Sequence, residues 1–215
     1  LRQPIEPLVA ELRACRICRD APRFGPALPH EPRPIIQVAP TARLLIASQA
    51  PGTRAHASGA PFTDASGDRL RMWLALDHDA FYDASRVAIA PMGHCFPGLD
   101  AAGGDLPPRR ECALRWRAPV LAALTELELI LVIGRYARDF HLPEWKGGGL
   151  TETVMAWRQI LSAPRRPRIL PLPHPSWRNN GWLKRHPWFE AEALPAVRDA
   201  VAEAVRPRPR SPSGP

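Results

Sequence analysis

Four cysteines fall in two spaced pairs, Cys15-x-x-Cys18 near the start of the chain and Cys95-x16-Cys112 much further on. Two residues between the first pair let one turn of backbone aim both sulfurs at a common centre. Four thiolates suit a [4Fe–4S] cluster or a tetrahedral zinc ion. Two disulfides, or four unrelated buried thiols, are the plain alternatives. A Cys-x-x-Cys disulfide closes a tight ring and nothing in the chain looks secreted, so a metal held by Cys15, Cys18, Cys95 and Cys112 is expected.

Three further segments carry groups with chemical potential. Ser48-Gln49-Ala50-Pro51-Gly52 forces a tight turn whose exposed backbone N–H groups could hold a phosphate or the polar edge of a ligand. Ser58-Gly-Ala-Pro-Phe-Thr-Asp64 follows, with Phe62 set in a polar loop. That ring either anchors the loop to the core or stacks on a planar base. His174 stands between two prolines, which stiffen its backbone and preset the direction of its ring. After it, Ser176-Trp-Arg-Asn-Asn-Gly-Trp182 and Lys184-Arg-His-Pro-Trp-Phe189 mix aromatic with basic groups. Such a mixture suits a surface that grips a nucleic-acid backbone and wedges between bases. The plain alternative is a loop whose tryptophans tuck beneath the last helix.

These groups need a frame. The 215 residues, 45% of them hydrophobic, suffice for one domain with a substantial core, expected over residues 1–205. The Pro/Arg stretch 206–215 reads as a disordered tail. The net charge of +8 suits a polyanion such as DNA. Nearly all the basic residues are arginine, however, with only Lys146 and Lys184 as lysines, a bias that a GC-rich genome also produces. The longest apolar run, Leu127–Ile133, is strand-sized, so no membrane span and a cytoplasmic location are expected. The chain opens on leucine, which leaves a preceding segment open.

Short apolar runs at Arg43–Ser48, Arg86–Pro91, Leu127–Ile133 and Arg168–Leu172 predict four strands. Helical spacing predicts helices over Glu6–Ala14, Asp68–Leu76, Arg109–Leu124, Gly134–Phe140, Thr151–Leu161 and Phe189–Val205, with Pro22–Pro40 irregular. Strands alternating with helices predict a three-layer α/β/α sandwich around a four-stranded parallel sheet. Ligands in such folds gather beyond the carboxyl ends of the strands. The turn at Ser48, the segment Met92–Cys95 and His174-Pro-Ser176 should therefore share one rim.

On these residues the chain resembles the uracil-DNA glycosylase superfamily, in particular its iron–sulfur branch, often called family four. That branch's Gly-Glu-Ala-Pro-Gly turn and Gly-x-Pro-Phe-Val-Gly motif stand here as Ser48-Gln-Ala-Pro-Gly52 and Gly59-Ala-Pro-Phe-Thr-Asp64. Its histidine motif stands as His174-Pro-Ser176, and the four cysteines follow its spacing. The resemblance implies the parallel sandwich, a [4Fe–4S] cluster in preference to zinc, and excision of uracil, or other deaminated bases, from DNA; a monomer is expected because DNA must reach the rim freely. It casts His174 as donor to the leaving base, Phe62 as its stacking partner and the Gln49–Gly52 backbone as its edge contact. Gln49, His56 and Asp64 become candidates for placing the water, Ser176 and Arg178 for holding phosphates, and Trp177 for a wedge. Departures are plain: Gln49 replaces the turn's glutamate, Pro91 an asparagine of the second strand, and Asp64 a glycine. They motivate an alternative, a non-catalytic, metal-stapled nucleic-acid binder; a zinc protein with an unrelated small ligand is a third.

Overall fold

A computed structural model of the chain describes residues 4–206. Its frame is one all-parallel sheet of β1 (Leu44–Ala47), β2 (Val87–Ile89), β3 (Leu129–Ile133) and β4 (Arg168–Leu172), in the spatial order β2-β1-β3-β4. Strands buried on both faces need no polar side, which is why they read as unbroken apolar runs. Their alternation still sorts residues into two cores. Leu45, Ala47, Ala88, Ile130 and Val132 face one; Leu44, Ile46, Val87, Leu129 and Leu131 face the other.

The helices are α1 (Ile5–Arg13), α2 (Ile17–Asp20), α3 (Thr53–Ser58), α4 (Ala65–Leu74), α5 (His78–Tyr82) and α6 (Arg110–Ala123). There follow α7 (Arg135–His141), α8 (Leu150–Met155), α9 (Trp157–Ser162), α10 (Asn180–Arg185) and α11 (Leu194–Val205). Leu8 and Leu12 of α1 and Trp116 and Val120 of α6 pack on the first core. Leu70 and Trp73 of α4, Phe81 of α5 and Val197 and Val201 of α11 pack on the second. The result is the expected three-layer sandwich.

Several details differ from expectation. The helix predicted over Thr151–Leu161 is two helices broken at Ala156, and the last helix begins with a π-helical turn, Phe189–Ala193, before α11. The short helices α2, α3, α5 and α10 have too few turns for apolar periodicity to reveal them. Arg206, first residue of the expected tail, is described, its carbonyl accepting a hydrogen bond from Arg43 at 2.7 Å. Residues 207–215 of that tail lie outside the described residues. Among the described residues, no helix is long and apolar enough to cross a membrane.

Candidate active site

β1 runs straight into the Gln49–Gly52 turn. The segment after β2 clips onto it, Met92 N–H donating to the Ser48 carbonyl and Gly93 N–H to that of Gln49, both at 2.9 Å. The N–H groups of Ala50 and Gly52 make no backbone hydrogen bond among the described residues, so they remain open to a ligand. The Gln49 side chain lies against Gly134, where an added Cβ would come within 3.0 Å of its Cγ and Cδ. Gly134 also has φ +82°, so both conformation and close approach require glycine there.

Phe62 has φ +56°, a left-handed backbone uncommon for a bulky residue. Its surroundings hold it there. Tyr82 donates its hydroxyl to the Pro61 and Phe62 carbonyls at 2.8 and 3.0 Å, and Arg71 reaches the Phe62 carbonyl at 3.2 Å. The ring packs edge-on to Phe81 and still faces the cleft. Anchoring and lining are thus done by one side chain, and over-determined strain of this kind gathers at functional sites.

β4 delivers His174. The backbone N–H of Ser176 donates to its Nδ1 at 3.2 Å, which obliges that nitrogen to accept. In the neutral ring the proton then sits on Nε2, making that atom a donor. Burial lowers the His174 pKa below the ordinary histidine value, with Arg178 adding to the shift and Asp64 opposing it. Asn179 fixes the segment by donating to the His174 carbonyl at 2.7 Å, and Arg69 of α4 donates to the Ser176 carbonyl at 3.2 Å.

These strand ends enclose a cleft of about 730 Å³. Gln49, Ala50, Pro51, Gly52, Phe62, Asp64, His174, Ser176 and Arg178 all line it, as does Pro91. Asp64 caps α4, its Oδ1 accepting from Gly67 N–H at 3.1 Å. Trp177 stands 70% exposed at the rim with the Arg178 guanidinium 5.1 Å from its ring centre. A smaller hollow of about 320 Å³ opens behind Gln49 and His174, between Gly134, Arg138 and Thr153.

A family model for the uracil DNA glycosylase superfamily matches residues 35–198. The chain belongs to that superfamily. Membership supports a glycosylase-type hydrolase acting on DNA.

Within that family frame one expectation needs correction, and one pair of alternatives is decided for the plain reading. His56 does not face the cleft: its ring packs 4.5 Å from His30 and 5.7 Å from Phe96, on the far side of α3. Trp182 is only 7% exposed and packs with Trp188 and Phe189 on the second core, so of that aromatic series Trp177 alone is presented at the rim. Sequence reasoning also passed over Asp105, which lines the cleft from the loop between β2 and α6. A lone aspartate in a Gly/Pro-rich loop carries no periodic or motif signal. That loop is more ordered than its composition suggests: Leu99 and Asp105 form an antiparallel bridge, and Asp100 Oδ1 accepts from Ala102 and Gly104 N–H at 2.9 and 2.8 Å.

The four cysteines surround one small cavity with Leu12, Pro32, Pro34, His94 and Trp116. Cys15 and Cys18 precede the family match, whereas Cys95 and Cys112 fall within it. Two sulfurs accept an N–H, Cys15 from Trp116 Nε1–H at 3.2 Å and Cys112 from His94 N–H at 3.3 Å, while the Arg33 backbone and the Arg109 side chain favour the charged forms of Cys95 and Cys18. Burial pushes the thiols of Cys18 and Cys95 up to about 11 and about 12, and that of Cys112 up as well. Buried sulfurs supplied with donors fit thiolates held by a metal, since such donors spread the sulfur charge. No group of three or more His, Cys, Asp or Glu among the described residues is set as it would be around a single ion.

Proposed function

We propose that the protein is a monofunctional DNA glycosylase that extrudes uracil from DNA and hydrolyses its N-glycosidic bond. The observation that carries this is the neutral His174 ring, its Nδ1 bound to Ser176 N–H, in one cleft with Phe62 and the Ala50 and Gly52 N–H groups. The glycosidic bond is unreachable within stacked DNA, so the nucleotide must rotate into the cleft first. Phe62 then covers the face of the base, and the turn N–H groups meet its edge. His174 Nε2–H donates to O2 as negative charge moves onto the departing base. A fixed donor of this kind is worth on the order of 10²–10³ in rate.

Gln49 orients a water but cannot take its proton. Asp64, tied to Gly67, supplies fixed negative charge beside the cationic sugar. Ser176 and Arg178 hold the flanking phosphates, and Trp177 enters the space the base vacates. Pro91 offers no polar side-chain group to a base, and the hollow behind His174 adds room, so hypoxanthine and xanthine join uracil as candidate substrates.

Cys15, Cys18, Cys95 and Cys112 would hold the [4Fe–4S] cluster, one thiolate to each iron; the preference over a tetrahedral zinc rests on the resemblance to the iron–sulfur branch. When bound, the cluster supplies cross-links between the α1–α2 segment and the β2–α6 loop, and hydrolysis calls on none of its electrons. Arg33 connects that site to the cleft: its backbone meets Cys95 while its guanidinium donates to the carbonyls of His56 and Ala57 at 2.9 and 2.7 Å, closing the end of α3.

The test is an oligonucleotide panel carrying uracil, hypoxanthine or xanthine, single-stranded and opposite each base. Conversion of the uracil member to alkali-labile DNA supports the proposal, and conversion of the hypoxanthine or xanthine members widens the substrate range. Tight, salt-dependent binding with no base released from any member would refute it in favour of a non-catalytic binder. A brown preparation absorbing near 400 nm identifies the cluster, and a colourless one containing zinc would replace it.

A further inference from the structure

Hydrolysis needs an acceptor for the proton of the attacking water. Neither Gln49, an amide, nor His174, already a donor toward the base, can serve. Asp64 has committed one oxygen to Gly67 N–H. The other carboxylate lining the cleft, with neither oxygen engaged in a hydrogen bond among the described residues, is Asp105.

Asp105 reaches the cleft from a loop that its own hydrogen bonds keep in shape. The Leu99–Asp105 bridge and the Asp100 turn fix its backbone. Its Oδ2 lies beside the catalytic turn, 3.6 Å from where a Cβ on Gly52 would stand. No hydrogen bond to its side chain forms among the described residues, so both oxygens are available. Arg178 pulls its carboxyl toward the charged form without pairing to it. Partial desolvation at the cleft wall, the largest effect, together with Asp64 and Asp100, pushes it the other way, above the ordinary aspartate value, although the residue stays exposed on its solvent side. Asp64 lines the same cleft as His174 and Asp105. A carboxylate that is partly desolvated and repelled by a neighbour binds a proton more readily than a free one, which is what a general base requires.

We propose that Asp105 is the general base of the glycosylase reaction, an assignment that rests on the function proposed above. The water oxygen forms a bond to the sugar C1′ as the C1′–N1 bond breaks. The electron pair of that bond leaves with the base, and the water proton passes to the Asp105 carboxylate. Asp64 keeps its place as fixed charge, and His174 keeps its hydrogen bond to the base oxygen. Water attack thus comes from the Gly52 side of the cleft, which the β2–α6 loop walls in.

The experiment is single-turnover uracil release by the holoprotein and its Asp105→Asn, Asp105→Glu and Asp64→Asn variants, with and without added sodium formate. Asp105→Asn is expected to slow release by about 10²–10⁴, the range of general-base catalysis. Its affinity for DNA carrying a non-hydrolysable 2′-fluoro-deoxyuridine and its absorbance near 400 nm should match wild type. Formate, a small external carboxylate, should restore part of the rate to Asp105→Asn and none to Asp64→Asn. Asp105→Glu should retain more activity than Asp105→Asn. A purely structural role for Asp105 would show no formate rescue, and that result overturns the assignment. So does an Asp105→Asn rate within threefold of wild type, or formate rescue confined to Asp64→Asn. An inactive wild type would instead bring down the glycosylase function itself, and this assignment with it.

Discussion

Replacing Gly67 by alanine sets two effects of known size against each other. Gly67 lies in the first turn of α4, where alanine is the better helix former by about 0.8–1.0 kcal/mol. Propensity alone therefore predicts a more stable protein. Its added Cβ, however, would stand 1.8 Å from the Phe62 carbonyl oxygen and 2.6 Å from the carbonyl carbon, both backbone atoms that cannot swing aside. The Phe62 carbonyl must retreat by more than an ångström. In doing so it strains its bonds to Tyr82 and Arg71 and the left-handed φ of +56° that they sustain. Overpacking of this kind costs about 1–3 kcal/mol, which outweighs the helix gain. Displacing a substrate-facing ring by about 1 Å costs on the order of 10² in rate. Gly181→Ala in α10 is the control, since nothing lies within 4 Å of its Cβ position and propensity acts alone. Melting temperatures and single-turnover uracil release, measured on both variants, decide the matter. Gly67→Ala should melt below wild type and release base about 10²-fold more slowly, while Gly181→Ala melts at or above wild type with its rate unchanged. A Gly67→Ala protein that melts higher and works at the wild-type rate would refute the account of how Phe62 is held.

Other perturbations have equally definite outcomes. Burial drives His141, packed against the Arg117 guanidinium, down to about 3, so the unfolded chain binds a proton there more readily than the folded one between that value and about 6.5. Stability from this residue is complete above that window and falls as pH drops through it, by up to about 1.4 kcal/mol per pH unit; urea unfolding at pH 7.5 and 5.0 should show the loss, and His141→Gln should shrink it. Trp177→Ala removes an exposed stacking ring, so it should weaken DNA binding by about 1–3 kcal/mol in a titration without moving the melting temperature. Arg33→Ala leaves the backbone beside Cys95 unchanged but frees the end of α3, so the 400 nm absorbance should persist while base release falls.

Much of the frame was legible because the strands are buried on both faces. Leu44–Ala47 and Leu129–Ile133 are apolar at every position, and runs of that length suit a strand better than a helix. Strand ends then located the rim, which is why Gln49, Phe62 and His174 meet although widely separated in sequence. What escaped was set by tertiary context. Trp182 and Trp188 look like a binding surface beside Lys184 and Arg185, yet α10 turns them onto the second core, where Trp182 donates Nε1–H to Thr151 at 2.8 Å. His56 follows the turn by only a few residues, but one turn of α3 carries it to the opposite side. Asp105 is placed by a bridge within an irregular loop, and no pattern along the chain encodes that.

The most direct test of the central claim is the release of free, labelled uracil from a DNA oligonucleotide by wild-type protein and by His174→Ala. A slot in which neutral His174 steadies the departing base predicts release by wild type and a loss of about 10²–10³ in rate for the variant, with DNA affinity retained. Equal rates from the two proteins, or no uracil released by either, would contradict it.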